Sequence, residues 1–293
     1  MENNDEKKGG IKMERALRCI QGGYDLHVHS APSRQPRCVN DFELLSEADV
    51  SGMAGVLIKN HDEPTASRAT LCELAVKLQV SRCYGGVVLN EPVGGINACA
   101  VEAAAQMGAK EVWFPTCDAQ NEITFGGGPH VPGRAGLTVL NERGEVKPEV
   151  FEVFEVARHF NLAVGTGHLS LKEIEAVCLA GRENGIRMVF THPDWRSVKA
   201  PIELQRKLSE KGVLIEKAWV PVSLGEVSAQ QMAASIREIG TRNVFMVTDH
   251  GADYLKKPLE AMIEYVCALL EFGFDENEIG LMLRENPKRV LGE

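Results

Sequence analysis

A short run near the start of the chain reads Tyr24-Asp25-Leu26-His27-Val28-His29-Ser30. The pattern is typical of a β-strand, in which successive side chains point to opposite faces. His27 and His29 therefore point in the same direction, and two imidazoles aimed into one space indicate a metal site. Two unrelated polar residues at a strand end are the simpler alternative. That alternative is weakened because four of the other six histidines also stand at the ends of apolar runs.

The composition is that of an ordinary globular protein. The chain has 293 residues, of which 44% are hydrophobic and 25% charged, and this length suits one large α/β domain. The formal net charge is −9, and the sequence has no clustered basic face. These features argue against a nucleic-acid partner or an anionic membrane surface. We expect a small-molecule substrate, and a homo-oligomer stays open.

The cysteines and the N-terminus favour a cytoplasmic protein. Eight cysteines are scattered without a C-x-x-C pair, and most stand in apolar segments, as reduced core residues do. No run approaches the ~18 apolar residues of a membrane span, and residues 1–10 lack the apolar centre of a signal peptide. Residues 1–11 are expected to be a disordered tail.

The rest of the chain repeats one unit, a short apolar strand with a polar end followed by a helix. Eight such units favour a single-domain (βα)₈ TIM-type barrel over residues 12–293. A doubly wound dinucleotide-binding fold is less well supported, because no glycine-rich phosphate motif follows the first strand. The predicted strands cover residues 24–29, 56–61, 83–90, 111–116, 162–168, 187–192, 213–216 and 244–250.

The segment 117–148 interrupts this repeat. It is longer than the other connections and rich in glycine, with a hairpin expected over residues 137–146. Long connections in compact domains are usually functional or disordered, so the segment is interpreted as an inserted loop and a candidate lid. His130 lies in it, as a solvated side chain or a cover for the site.

In a barrel the C-terminal ends of the strands converge on one face, where active sites lie. Glu216 ends the predicted seventh strand and could bind substrate or pair with a lysine. Trp113 and Trp195 stand near strand ends, where they could wall a pocket or simply pack. His159, near a helix end, is interpreted as structural, and His250 is expected to face away from the metal position. The convergence brings together His27, His29, Lys59, His61, His168, His192 and Asp249.

The order of the histidines resembles the amidohydrolase superfamily of metal-dependent hydrolases. The resemblance rests on His27-x-His29, His168, His192 and Thr248-Asp249-His250 at strands one, five, six and eight. The later run Glu285-Asn286-Pro287-Lys288-Arg289-Val290-Leu291-Gly292 is similar to the N-P-x-x-x-L-G helix end of that superfamily. The resemblance covers the chain from the first strand to the C-terminus. It implies a divalent metal held by His27, His29, His168, His192 and Asp249.

The fourth predicted strand departs from that family. Binuclear members place a carboxylated lysine or a glutamate at its end, whereas this strand ends in Phe114-Pro115-Thr116. A lysine stands instead at the end of strand two, in Lys59-Asn60-His61-Asp62. Whether Lys59 is carboxylated, or a ligand, stays open. The run Asp25-Leu26-His27-Val28-His29-Ser30, followed by Asn60-His61-Asp62, also resembles the opening motifs of the polymerase-and-histidinol-phosphatase metallophosphoesterases, which use up to three metals.

The ligand types indicate the chemistry. Imidazoles and one carboxylate suit Zn²⁺ or a similar divalent ion, one or two per chain, and leave a position for water. Such an ion lowers the pKa of water toward about 7. Asp249 would act as ligand and proton shuttle, while Lys59 and His61 would polarise or orient the substrate. A lysine that merely extends to solvent is the alternative for Lys59.

The sequence therefore predicts a hydrolase that cleaves an amide, ester or cyclic C–N bond in a small organic substrate. Trp195 and Glu216 are its predicted substrate-binding residues. One alternative is a phosphoesterase with a multinuclear site. Another is a barrel that binds metal without catalysis.

Overall fold

Eight parallel strands form one sheet in sequence order, and they alternate with helices along the chain. The computed structural model describes residues 2–126, 133 and 135–293. The arrangement confirms the predicted (βα)₈ barrel. The strands are β1 (Tyr24–Val28), β2 (Gly55–Ile58), β3 (Arg82–Val88), β4 (Glu111–Trp113), β5 (Ala163–Gly165), β6 (Arg187–Phe190), β7 (Leu214–Ala218) and β8 (Val244–Val247).

The first and last strands meet just beyond their C-terminal ends. The Asp249 amide donates to the His27 carbonyl at 2.8 Å, and the His29 amide donates to the His250 carbonyl at 2.8 Å. Gly251 makes this approach possible, because a Cβ at that position would stand 1.7 Å from the His29 carbonyl oxygen. Its φ of +132° is also one that side chains disfavour. The closure therefore joins the two chain segments that carry the metal motif.

The helices surround the strands. Short non-α turns accompany them at Glu91–Val93, Thr241–Asn243 and Leu281–Glu285. The α-helices are α1 (Glu2–Ile20), α2 (Asp41–Val50), α3 (Ala66–Ala75), α4 (Ala98–Gln106), α5 (Gln120–Phe125), α6 (Pro148–His159), α7 (Leu171–Glu183), α8 (Ile202–Glu210), α9 (Val220–Ser223), α10 (Ala229–Ile239), α11 (Pro258–Glu271), α12 (Glu276–Gly280) and α13 (Asn286–Leu291).

The hydrophobic core has layers that follow from the alternation of side chains along each strand. One set points into the barrel and packs there, for example Leu26, Leu57 and Trp113. The opposite set packs against the helices, as Val112 and Met188 do. Trp113 is fully buried in the interior, so it packs rather than walls the pocket. The interior layer forms the floor on which the polar strand ends stand.

The N-terminal segment differs from the sequence prediction. A disordered tail was expected over residues 1–11, whereas α1 already begins at Glu2. The helix is fixed by its second half, where Ala16, Cys19 and Ile20 are buried. Lys12 Nζ also lies 2.6 Å from Glu271 Oε2 of α11. The sequence did not reveal this docking, because the apolar residues begin only after a highly charged stretch.

The inserted segment contains a helix that the sequence did not predict. Helix α5 lies at its start, and the predicted hairpin is represented by an antiparallel bridge between Leu140 and Val146. His130 lies outside the described residues, so its role stays a prediction. Among the helices that are described, none has the length and apolarity needed to cross a membrane.

Candidate metal centre

Three predicted ligands meet where β1 and β8 end. His27 Nε2 lies 2.9 Å from Asp249 Oδ1, and His29 Nε2 lies 3.1 Å from the same oxygen. One donor atom from each residue falls within 4.8 Å of the other two. His27 and His29 are buried, and the Asp249 side chain is nearly so. The arrangement agrees with the parity argument for the two histidines.

The segment that carries Asp249 is held in a strained conformation. Asp25 accepts hydrogen bonds from the Thr248 amide at 3.0 Å and from its hydroxyl at 2.5 Å. The next residue, Asp249, has a φ of +53°, and His192 has a φ of +23°. Non-glycine residues rarely adopt positive φ, and such strain clusters at functional sites. Two of the five predicted ligands thus have a backbone that the surrounding structure must enforce.

Glu216 orients His27 from below. Its Oε1 lies 2.9 Å from His27 Nδ1 and accepts a hydrogen bond from the His192 amide at 3.1 Å. Glu216 is fully buried in the middle of β7 and is not among the described residues that line the cavity. The prediction that Glu216 binds substrate is therefore corrected, because β7 continues to Ala218 and places this carboxylate beneath the strand ends.

His27 and His29 have different pKa values because their neighbours differ. Burial acts to lower the pKa of His27, but the carboxylates of Asp249 and Glu216 outweigh it and raise the pKa to about 9. Burial lowers the pKa of His29 to about 3, with a further contribution from Arg37. His29 is therefore neutral near pH 7, which is the state in which an imidazole binds a metal.

His168 and His192 form a second pair beside the first cluster. Their Nε2 atoms are 3.1 Å apart, and the His27 and His192 ring centroids are 5.5 Å apart. His168 follows β5 and His192 follows β6, as the sequence predicted. Within the described residues, however, only His27, His29 and Asp249 have donor atoms close enough to one another to share a single ion. The structure thus places the five predicted ligands as a cluster of three and an adjacent pair.

Glu122 is a site residue that the sequence analysis missed. Its Oε2 lies 3.0 Å from His168 Nδ1 and accepts hydrogen bonds from Trp195 Nε1 at 3.3 Å and from the Ser197 hydroxyl. Burial acts to raise the pKa of Glu122, but these partners lower it to about 2. The residue stands on α5 within the insertion, where no strand periodicity could link it to the histidines.

Lys59 lies deeper than expected. Its side chain is 1% exposed, and Nζ lies 2.9 Å from His27 Nε2 and 5.3 Å from the centroid of the Trp113 ring. Lys59 therefore lies at the floor of the cavity, and the alternative that its side chain extends to solvent is wrong. Burial lowers the pKa of Lys59. Lys59 directly follows Ile58, the last residue of β2, so it is still enclosed by the barrel.

His61 contacts the cluster from the opposite side. Its ring stacks on that of His29 with centroids 4.8 Å apart, and its Nδ1 lies 2.9 Å from the Thr116 hydroxyl. Trp195 lies 5.8 Å from both His168 and His192, measured between ring centroids. Both residues line the cavity, so their predicted positions agree with the structure. His250 is turned away, with Nδ1 2.8 Å from the Thr248 carbonyl.

A cavity of about 330 Å³ lies above these side chains. This volume is near the lower end of the ~300–1,000 Å³ typical of small-molecule sites. Val220 at the start of α9, Leu224 directly after α9, and Leu255 in the β8–α11 connection line one part of it. The site can therefore enclose a small organic molecule against the polar strand ends.

The residues fit a divalent metal ion. Two imidazole nitrogens and one carboxylate oxygen approach a common centre, a donor set that Zn²⁺ and similar ions accept. Glu216 holds the other ring nitrogen of His27, as carboxylates commonly do for metal-binding histidines. His168 and His192 present their two Nε2 atoms to each other at 3.1 Å. Such a pair gains from a shared cation or proton.

Replacing Glu122 by alanine is expected to lower the free energy of unfolding by about 1–3 kcal/mol, because it leaves the buried His168 and the half-buried Trp195 and Ser197 without their acceptor. Urea denaturation followed by circular dichroism measures the change. Gln120→Ala on the exposed side of the same helix is the control and should change stability by less than about 0.5 kcal/mol. Equal effects of the two variants would show that Glu122 does not brace the site.

The comparisons with known proteins establish a family and a fold. The family described as one of unknown function, DUF6282, matches residues 22–216, more than half of the chain. No curated protein matches the sequence. An amidohydrolase from Pseudomonas aeruginosa superposes with a TM-score of 0.66 at 14% identity, covering 96% of this chain and 99% of that chain.

Two further structures share the barrel. A TatD homologue from Escherichia coli K12 has a TM-score of 0.57 at 12% identity, covering 94% of this chain and 99% of that chain. The organophosphorus hydrolase from Deinococcus radiodurans has a TM-score of 0.56 at 13% identity, covering 94% of each chain. The resemblance to the amidohydrolase superfamily is thereby confirmed for the fold.

Proposed function

We propose that this chain, which belongs to the DUF6282 family, is a metal-dependent hydrolase that cleaves an amide, ester or cyclic C–N bond in a small organic substrate. The observation that supports this most strongly is the His27–His29–Asp249 cluster, which stands at the C-terminal ends of the strands beside an open cavity. A structural metal site is normally closed by four protein ligands, whereas a catalytic one keeps a position for water or substrate.

The metal site has one primary set of ligands and one extension. His27 Nε2, His29 Nε2 and Asp249 Oδ1 would hold the first ion, and Zn²⁺ suits these donors. His168 and His192 would complete its coordination or help to hold a second ion. When bound, the ion supplies Lewis-acid polarisation and lowers the pKa of a water molecule toward about 7.

The remaining steps, proton transfer, charge stabilisation and exclusion of water, are assigned to side chains around the metal site. Asp249 contacts both imidazoles through Oδ1, so its second oxygen is the atom that can accept a proton from attacking water and return it to the leaving group. Glu216 fixes the ring of His27. The ammonium group of Lys59, at the cavity floor, can stabilise negative charge that develops on the substrate. Trp195 and His61 form walls that exclude water.

Metal analysis and a substrate panel test the proposal together. The purified protein is expected to contain at least one divalent metal per chain. After chelation and reloading, it is expected to hydrolyse members of a panel of amides, lactones and cyclic amides only in the metal-loaded form. Hydrolysis confined to phosphate esters would favour the phosphoesterase alternative. Bound metal without turnover on either group would favour the non-catalytic barrel.

Lys59→Met is expected to lower kcat by about 10²–10³-fold with little loss of stability. The kinetic loss is that of a single charge-stabilising donor, and stability changes little because methionine removes a buried charge whose desolvation is costly. Melting temperature and kcat are measured on one preparation. If activity instead rises with added bicarbonate in the parent, a carboxylated Lys59 becomes the better account.

A second buried lysine provides the matched control. Lys217 Nζ donates to Asp194 at 2.7 Å and to Gln205 at 2.9 Å, on the side of β7 that faces the helices. Lys217→Met leaves these partners unsatisfied, so it is expected to lower stability by about 1–3 kcal/mol while kcat is retained. If Lys59→Met instead lowers the melting temperature and leaves kcat unchanged, Lys59 does not take part in the reaction.

A further inference from the structure

Arg37 and Arg196 line the cavity, and neither was among the site residues predicted from the sequence. Arg37 stands on the connection between β1 and α2, and Arg196 stands after β6, within the connection to α8. Both are half-buried. Their charge contrasts with the formal net charge of −9 for the whole chain.

Arg37 is fixed through its backbone and leaves its outer amino groups available. It pairs with Ala252 in an antiparallel bridge, next to a hydrogen bond from the Cys38 amide to the Gly251 carbonyl at 2.9 Å. Its Nε donates to the Ser33 hydroxyl at 3.3 Å. Among the residues that the structure describes, no carboxylate lies within ion-pair distance of Arg37. Arg37 lines the cavity, where the carboxylate of Asp249 acts on its charge from beyond ion-pair distance.

Neighbouring arginines are neutralised, which makes Arg37 different. Arg34, three residues earlier in the same connection, lies 2.9 Å from Asp62. Arg68 on α3 lies 2.7 Å from Asp41 and 2.6 Å from Glu63. Arg34 and Arg68 thus each have a carboxylate within ion-pair distance, whereas Arg37 has none among the described residues.

Arg196 is positioned by an aromatic ring rather than by a close ion pair. Its Cζ lies 4.8 Å from the centroid of the Trp195 ring. Its nearest carboxylate among the described residues, Glu226, is 3.9 Å away, at the limit of an ion pair. A guanidinium that lies flat on an aromatic ring keeps its edge free to donate hydrogen bonds.

The acidic residues of the cavity are already engaged. Asp249 contacts His27 and His29, and Glu122 contacts His168. The charge left for a ligand is therefore positive. A ligand that enters the cavity would need an anionic group to match it.

We propose that Arg37 and Arg196 bind an anionic oxygen group of the substrate, a carboxylate or a phosphate, and so select acidic substrates. The inference rests on the proposed hydrolase function, which it narrows to one substrate class. A guanidinium donates two parallel hydrogen bonds to such a group. The apolar lining of Val220, Leu224 and Leu255 would hold an aliphatic or aromatic body between the anionic group and the scissile bond.

Binding to metal-free protein tests the arginines without requiring turnover. Calorimetry on the chelated full chain compares N-acetylleucine, its neutral carboxamide and isoamyl phosphate. The parent is expected to bind one acidic probe about 10–100-fold more tightly than the carboxamide. Arg37→Gln is expected to remove this difference, Arg196→Gln to reduce it, and Arg34→Gln to leave it unchanged as the matched control. The probe that binds identifies carboxylate or phosphate as the group.

Two results would overturn the inference. One is binding of the carboxamide as tightly as both acidic probes. The other is acidic binding that survives Arg37→Gln and Arg196→Gln together. Failure of the proposed function gives a different pattern, in which the acidic probe still binds through Arg37 but no amide, ester or cyclic C–N bond is hydrolysed after metal loading.

Discussion

Asp249→Asn is expected to lower kcat by about 10²–10⁴-fold while the barrel stays folded. Asparagine keeps the shape of the side chain and one oxygen that can approach His27 and His29. It removes the negative charge and the atom that accepts the proton. Burial acts to raise the pKa of Asp249, but its contacts with His27 and His29 outweigh burial and hold the pKa well below its usual value, so the carboxylate is ionised.

Metal content, melting temperature and kcat measured on one preparation decide the role of Asp249. A proton shuttle predicts that the variant retains metal on the histidines and loses turnover. A site that serves only structure predicts a lower melting temperature and no change in turnover, because there would be none to lose. A metal-replete Asp249→Asn protein with parental kcat would exclude Asp249 from the mechanism.

The sequence was sufficient for the fold, and for the convergence of the candidate ligands at one end of the barrel, because both follow from local patterns. Strand and helix periods differ, so the eightfold alternation is visible without tertiary information. Polar residues at the ends of apolar runs converge in a barrel by geometry alone. His168 and His192, 24 residues apart in the chain, thus lie with their Nε2 atoms 3.1 Å apart.

The residues that the sequence could not place belong to connections or depend on strand length. Glu122 and Arg37 stand in connections, whose path is set by tertiary contacts such as the Arg37–Ala252 bridge. Glu216 was placed at a strand end because the predicted strand stopped there, whereas β7 continues for two more residues. Because the strand is two residues longer than predicted, the Glu216 carboxylate lies beneath His27 and not in the cavity.

The combined replacement His27→Ala and His29→Ala is expected to abolish metal binding, the largest effect of any change considered. Two of the three clustered donors are lost, and Asp249 is left with only the adjacent His168–His192 pair, which lies outside the three-residue donor cluster. Elemental analysis should find at least one metal per parent chain and almost none in the double variant. His159→Ala, which changes an exposed histidine at the end of α6, is the matched control and should retain the parental metal content.

Thermal unfolding supplies a second readout for the same variants. A metal that binds only the folded state stabilises it by RT ln(1 + [metal]/Kd), about 2.7 kcal/mol at a hundred times Kd. Added Zn²⁺ should therefore raise the melting temperature of the chelated parent and of His159→Ala, but not that of the double variant. Because the comparison is made with and without metal on the same protein, any packing loss from the two alanines cancels. Equal metal content and equal stabilisation in the double variant would place the ion elsewhere and refute the proposed centre.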